Sequence, residues 1–227
     1  MHHGDMMNAR KVLLGITTAT LTCALLPLTA AAAGAPAIAA FDDAFAKVND
    51  YTVTVRAHEV KGDRVQDRTY HYWFKRPNLA KTLIVSGDGS GSGGVWNGGD
   101  KVSGHQGGIL AFIHLKVDLH DPRATSLRGY TIPDGLLQNE VDRYKQIKGE
   151  LRQRPGPEIN GVQTDEVDLR IADPAANDGI TRATLFLNKR THWPVRQVRY
   201  VGDKIVADTS FEDLRVNVGL TDNDFPF

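Results

Sequence analysis

The sequence predicts a mainly β, α+β fold: a curved antiparallel sheet of about ten strands with a few short helices on one side. Three observations carry this. Nine or ten short runs alternate apolar with polar residues, or are dense in β-branched and aromatic types. Turn signals rich in Gly, Asp and Asn separate several of them. Only two segments of the mature chain carry a helical stripe, so the strand–helix alternation of a parallel sheet is missing.

The N-terminus comes before the domain. Arg10 and Lys11 precede an apolar run from Val12 to Leu28, broken at Pro27, and then small residues from Thr29 to Gly34. A positive start, an apolar stretch of roughly 15 residues and an A-x-A region describe a secretory leader. A membrane-spanning helix needs about 20 apolar residues. Cleavage is expected after Ala33, giving a leader at 1–33 and a single domain at 34–227. Cys23 follows Thr22 and has apolar residues beyond it, so it reads as part of the leader. The mature chain then has no cysteine, which excludes disulfides and thiolate chemistry. Lys plus Arg and Asp plus Glu are equal at 27 each, so nothing in the net charge draws the protein to nucleic acid.

Phe41, Phe45 and Val48 form one face of an opening helix. Tyr51, Val53, Val55 and Ala57 alternate along a strand that ends at the turn Lys61-Gly62-Asp63. Thr69 to Lys75 is an aromatic strand, and Leu79 to Ser86 is the next. Gly87 to Gly99 lacks the Gly-Lys-Ser/Thr ending of a phosphate loop and reads as a flexible connection. Lys101 to Leu119 holds one or two strands, with Ile109 to Leu119 the most apolar stretch of the mature chain. Leu136, Leu137, Val141, Tyr144 and Ile147 give a second helix over Pro133 to Ile147, capped by Asp134. Five further strands follow: Ile147–Arg152, Gln163–Ile171, Thr181–Leu187, Val195–Tyr200 and Lys204–Leu214. Trp193-Pro194 opens the fourth of these, and Val201-Gly202-Asp203-Lys204 is a hairpin centre. Two short helices cannot cover so large a sheet. A curved sheet with helices near one mouth often encloses an apolar cavity.

Signs of catalysis are sparse. The histidines have no H-x-x-x-H or H-E-x-x-H spacing, and there is no Gly-x-Ser-x-Gly elbow. His114 and His120, with Asp118 or Asp121, read as a solvated strand edge. Asp165, Glu166 and Asp168 read as the polar face and turn of a strand. No enzyme activity, metal or cofactor is expected. The segment Tyr70-His71-Tyr72-Trp73-Phe74-Lys75-Arg76 stands out, because period-two geometry sends Tyr70, Tyr72, Phe74 and Arg76 to one face. That face is either a core wall ending in a solvated arginine or a ligand wall with a cation at its mouth. The cation could donate to the carbonyls of a lid.

At Lys75-Arg76-Pro77-Asn78-Leu79 the chain resembles the LolA/LolB-type lipoprotein carriers of the bacterial periplasm. The approach is also similar: a helix ending in Lys47-Val48, Tyr51 at a strand start, a Gly-Asp turn and an aromatic strand. Val95 to Val102, Phe211 to Asn217 and Leu220 to Phe225 resemble the family's turn, closing strand and tail. His105 to Gln146 departs from it, with Asp121-Pro122-Arg123 and Arg128 to Ile132 as its own features. The resemblance implies an incomplete antiparallel β-barrel wrapped round helices. It implies that Tyr70, Tyr72 and Phe74 line a cavity and that Arg76 holds a helical lid. It also implies a periplasmic, monomeric carrier of lipoprotein or lipid acyl chains, with a membrane protein as partner. The same fold serves envelope-stress regulators, which leaves a sensing or interaction role as the alternative.

Overall fold

A computed structural model describes residues 35–110 and 112–226. The leader expected at 1–33 lies outside the described residues. The chain from Ala33 to Phe227 forms one compact unit.

Eleven antiparallel strands form a single sheet. The strands are β1 (Asp50–Lys61), β2 (Arg64–Lys75), β3 (Leu79–Gly87), β4 (Gly93–Trp96), β5 (Lys101–His105), β6 (His114–Asp118), β7 (Gly149–Pro155), β8 (Thr164–Ile171), β9 (Arg182–Asn188), β10 (Pro194–Val201) and β11 (Lys204–Val216). Their order across the sheet is β6-β5-β4-β3-β2-β1-β11-β10-β9-β8-β7, so the chain runs out to one edge, returns to the middle and runs out to the other. The two ends, β6 and β7, do not pair with each other, and the barrel stays open. Glu150, Arg152 and Arg154 cover the β7 edge with charge, which blunts strand addition there.

Two helices, α1 (Pro36–Phe45) and α2 (Leu137–Gln146), pack on the inner face. Pro36 starts α1 where its missing N–H costs nothing. Phe41 stacks on Phe45 with centroids 5.6 Å apart and meets Trp193 edge-on at 5.6 Å. Phe45 continues to Phe74 at 6.1 Å, and Phe74 to Tyr51 at 5.0 Å. This aromatic chain joins α1 to β1 and β2. The Tyr51 hydroxyl accepts from the Leu137 N–H at 3.1 Å, satisfying one free donor at the start of α2. Burial, offset in part by that bond, holds the Tyr51 phenol far above its ordinary range. Val167, Leu169, Leu185 and Leu187 complete this core from β8 and β9.

The second helix is shorter than its pattern predicts. Pro133–Gly135 is a separate 3-10 turn, and Leu136 is the N-cap without a side-chain bond. Asp134 does not cap. Its carboxylate instead accepts from the Thr131 N–H at 2.8 Å and the Thr131 hydroxyl at 2.6 Å. Gly135 is required because a Cβ there would lie 2.4 Å from the Tyr72 hydroxyl oxygen. The glycine-rich run is also corrected. It holds a tight turn at Asp88–Ser92 and a whole strand, β4, whose Gly93 and Gly94 pair with β5. Lys101–Leu119 divides into β5 and β6, and Ile109, Phe112 and Ile113 between them are exposed rather than buried.

A buried ion pair anchors α2 to the sheet. Glu140 accepts from Arg199 at 2.6 Å and from Arg143 at 3.0 Å. Burial works against charge on Arg199, and Glu140 with the phenols of Tyr130 and Tyr144 more than offsets it. Glu140→Gln strands the Arg199 guanidinium without its counter-charge. The variant should lose on the order of 3 kcal/mol, read as a lower urea midpoint at unchanged slope.

Candidate binding site

The helices cover the inner face of β1 and β7–β11. Beyond Phe74, which packs on α1, the inner face of β2–β6 carries no helix, and a cavity of about 480 Å³ lies there. Tyr70, Tyr72, Ile84, Val102, Leu115 and Val117 line it from the strands, and Ile132 closes it from the other side. Glycine shapes the wall: a Cβ on Gly94 would stand 3.0 Å from Val102 and 3.1 Å from Ile132. Residues 122–126 and 130–132 run across the cavity as a strap.

The strap is the segment that departs from the family resemblance, and its fixings explain its residues. Leu127 N–H donates to Gln66 Oε1 at 2.9 Å. Arg128 N–H donates to the buried Glu59 carboxylate at 2.9 Å. The Arg128 side chain donates to the carbonyls of Val60 at 2.8 Å and Asp178 at 3.0 Å, bridging the β1–β2 hairpin to the loop after β8. Tyr130 is held between two guanidinium groups, Arg199 at 4.4 Å and Arg143 at 5.4 Å from its ring centre. Farther back, Asp121 pairs with Arg123 at 2.6 Å, and hydrogen bonds from Arg123 bring its carboxyl down to about 2.

The four residues read from the aromatic strand divide between two environments. Tyr70 and Tyr72 stand in the cavity wall with rings 5.9 Å apart. Burial raises both phenols, so they stay protonated donors at neutral pH. Phe74 lies in the aromatic core beside α1. Arg76 stands at the far end of the strand. It donates through Nη2 to the Phe45 carbonyl at 2.9 Å and through Nε to the Val48 carbonyl, and it lies 4.8 Å over the Phe45 ring. Arg76 therefore holds the end of α1 and does not line the cavity. Two arginines stand at the cavity instead: Arg123 from the strap, and Arg68, on the same face two residues before Tyr70. Arg68 donates to the Tyr70 hydroxyl at 3.3 Å and to the Asp88 carbonyl at 2.9 Å. The period that picked out Arg76 also reaches Arg68. The strap residues carry no such signal, since their partners are 50 or more residues away.

Among the described residues, no group of three or more His, Cys, Asp or Glu is placed to hold a metal ion. His114 stands instead across from His105 on β5, their rings 5.7 Å apart.

No protein-family model matches the chain, and no curated protein matches it. Solved structures do. An uncharacterized conserved protein from Thermus thermophilus aligns over 84% of this chain and 90% of its own, with 11% identity and a TM-score of 0.54. The Mycobacterium tuberculosis lipoprotein LppX aligns over 82% and 96%, with 15% identity and a TM-score of 0.51. MucB aligns over 86% of this chain and 64% of its own, with 12% identity and a TM-score of 0.51. The open antiparallel barrel round two helices is the architecture implied by the Arg-Pro element. The fold is shared with these three structures. At these identities the likeness is one of fold, and it carries no site residue across.

Asp134 makes the strap's attachment to α2 sensitive to acid. Burial raises its carboxyl, but the Thr131 bonds and Arg143, at 2.6 Å, outweigh this and hold it below the ordinary range. A depressed folded-state value gives stability that is fully present above the unfolded-state value of about 3.9. That stability is lost as pH falls through the folded-state value. Melting temperatures measured from pH 5 to pH 2 should therefore fall less steeply for Asp134→Asn than for the wild type.

Proposed function

We propose that this chain is an exported, periplasmic binding protein that takes acyl chains of a lipid or lipoprotein into the cavity under β2–β6, and that it is not an enzyme. The observation that carries the reading is the cavity itself. It is a space left where the helices stop, with a tyrosine pair and aliphatic side chains on the strand wall, polar strap and turn residues around them, and Arg68 beside the tyrosines. An acyl chain gains about 0.8 kcal/mol per CH₂ taken from water, so a modest cavity can hold a chain against a membrane's competition. Arg68 and the two phenols offer donors to an ester carbonyl or headgroup oxygen. The leader-like N-terminus supports export, and the LolA-like architecture supports a carrier over a catalyst.

Native mass spectrometry of the protein from a periplasmic extract, followed by lipid extraction, tests this directly. Bound acyl lipid is the expected result. A clean apo mass with no uptake of a fluorescent fatty acid would remove the reading. Ligand that is retained but never passed to vesicles would favour the regulatory role over the carrier. Val117→Trp places an indole in the cavity from a half-buried position on the edge strand. It should cut fatty-acid uptake at least tenfold while the far-UV spectrum and melting temperature hold.

Arg76 enters through α1. A ligand longer than the cavity needs space now filled by Phe45 and Phe74, and Arg76 fixes the end of the helix that fills it. Arg76→Leu should cost roughly 1 kcal/mol of stability, because the site is exposed. It should speed ligand release several-fold in a stopped-flow displacement assay. Unchanged release would detach Arg76 from ligand exchange.

A further inference from the structure

The first part of the most apolar stretch of the mature chain is neither core nor cavity wall. Between β5 and β6 the chain exposes Ile109 to 89% and Phe112 to 78%, with Ile113 and Leu115 also exposed beside them. Large apolar side chains grouped at one exposed tip mark a contact surface. The tip is held in position. Gly107 N–H donates to Ser92 Oγ at 2.9 Å, and a Cβ on Gly107 would lie 2.1 Å from the Ser90 carbonyl oxygen. The base of the loop is thus packed on the turn before β4, at the border of the cavity.

From Lys101 to Val117 the sequence has two lysines, Lys101 and Lys116, and no carboxylate; Asp118 follows opposite Lys101, at the end of the hairpin far from the tip. Strand alternation puts Lys116 on the outer face of the hairpin, with Leu115 and Val117 facing the cavity. An apolar tip with a lysine beside it and no carboxylate on either strand near it matches the interface of an anionic bilayer, where apolar side chains enter the acyl boundary and cations meet phosphates. A protein groove would accept the apolar residues but would not account for the absence of carboxylates.

We propose that the β5–β6 hairpin docks this protein on an anionic phospholipid surface, with Ile109 and Phe112 inserted and Lys116 at the headgroups. This sets the cavity border against the bilayer, and it does not depend on what the cavity holds.

The test is flotation of residues 34–227 with phosphatidylcholine vesicles containing or lacking phosphatidylglycerol. The wild type is expected to float with the anionic vesicles and several-fold less with the neutral ones. Ile109→Asp combined with Phe112→Asp should lower the bound fraction at least tenfold at an unchanged melting temperature, since neither side chain packs in the core. Lys116→Glu should weaken binding to the anionic vesicles only. Val117→Trp should bind vesicles as the wild type does, so a failure of docking and a failure of the cavity reading are told apart. Two results overturn the proposal. One is equal flotation of the double aspartate variant. The other is no flotation of the wild type, together with concentration-dependent dimerisation that the double variant abolishes, which would make the tip a contact between copies.

Discussion

The whole structure depends on a mismatch of area. Eleven strands present a long inner face, and two helices of ten residues each are all that the described chain offers to cover it. Apolar sheet face must be buried or it drives association. Here α1 and α2 cover β1 and β7–β11, and their aromatic residues complete a close-packed core with Trp193, Phe74 and Tyr51. The remaining face, on β2–β6 beyond Phe74, has no helix. A strap of irregular chain crosses it instead, and irregular chain cannot interdigitate as a helical ridge does. A cavity is the physical result.

An irregular strap has no ladder of its own, so its backbone polar groups need partners elsewhere. This accounts for the density of long-range hydrogen bonds from Leu127 and Arg128. It also accounts for the buried charges behind Tyr130. Glu140, Arg143 and Arg199 would each be costly alone, and together with Asp134 they form a balanced group that ties strap, helix and sheet at one place. A strap held by discrete polar contacts can open in steps as those contacts break, whereas the core beneath the helices is held by continuous packing.

Much of this was legible in the sequence, because most elements carry their own period. Tyr51, Val53 and Val55 alternate into the core as read, and Phe41 and Phe45 share a helical face. The shortage of helix relative to strand already implied an uncovered face. What stayed hidden was set by distant partners. Nothing local distinguishes Asp134 as a helix cap from Asp134 as an acceptor for Thr131 and Arg143. The β4 strand was masked by its glycines, which give close approach between strands in place of side-chain pattern. Ile109 to Leu119 shows the limit of composition: Ile109, Phe112 and Ile113 are exposed at the tip, while Leu119 in the same apolar run packs against the core.

The aromatic strand β2 ties these features together. Its inner face reads Arg68, Tyr70, Tyr72, Phe74, then Arg76, with a cation at each end of an apolar row. The row passes from cavity to core at Tyr72, whose hydroxyl abuts Gly135 at the turn into α2. Arg76 fastens the helix that fills one side, and Arg68 faces the space on the other. Any shift of α1 away from Phe74 therefore lengthens the cavity along the same strand, past Tyr72. Such a shift first breaks the bonds from Arg76 to the carbonyls of Phe45 and Val48. A single strand thus links how firmly α1 is seated to how large a molecule the open half of the barrel can hold.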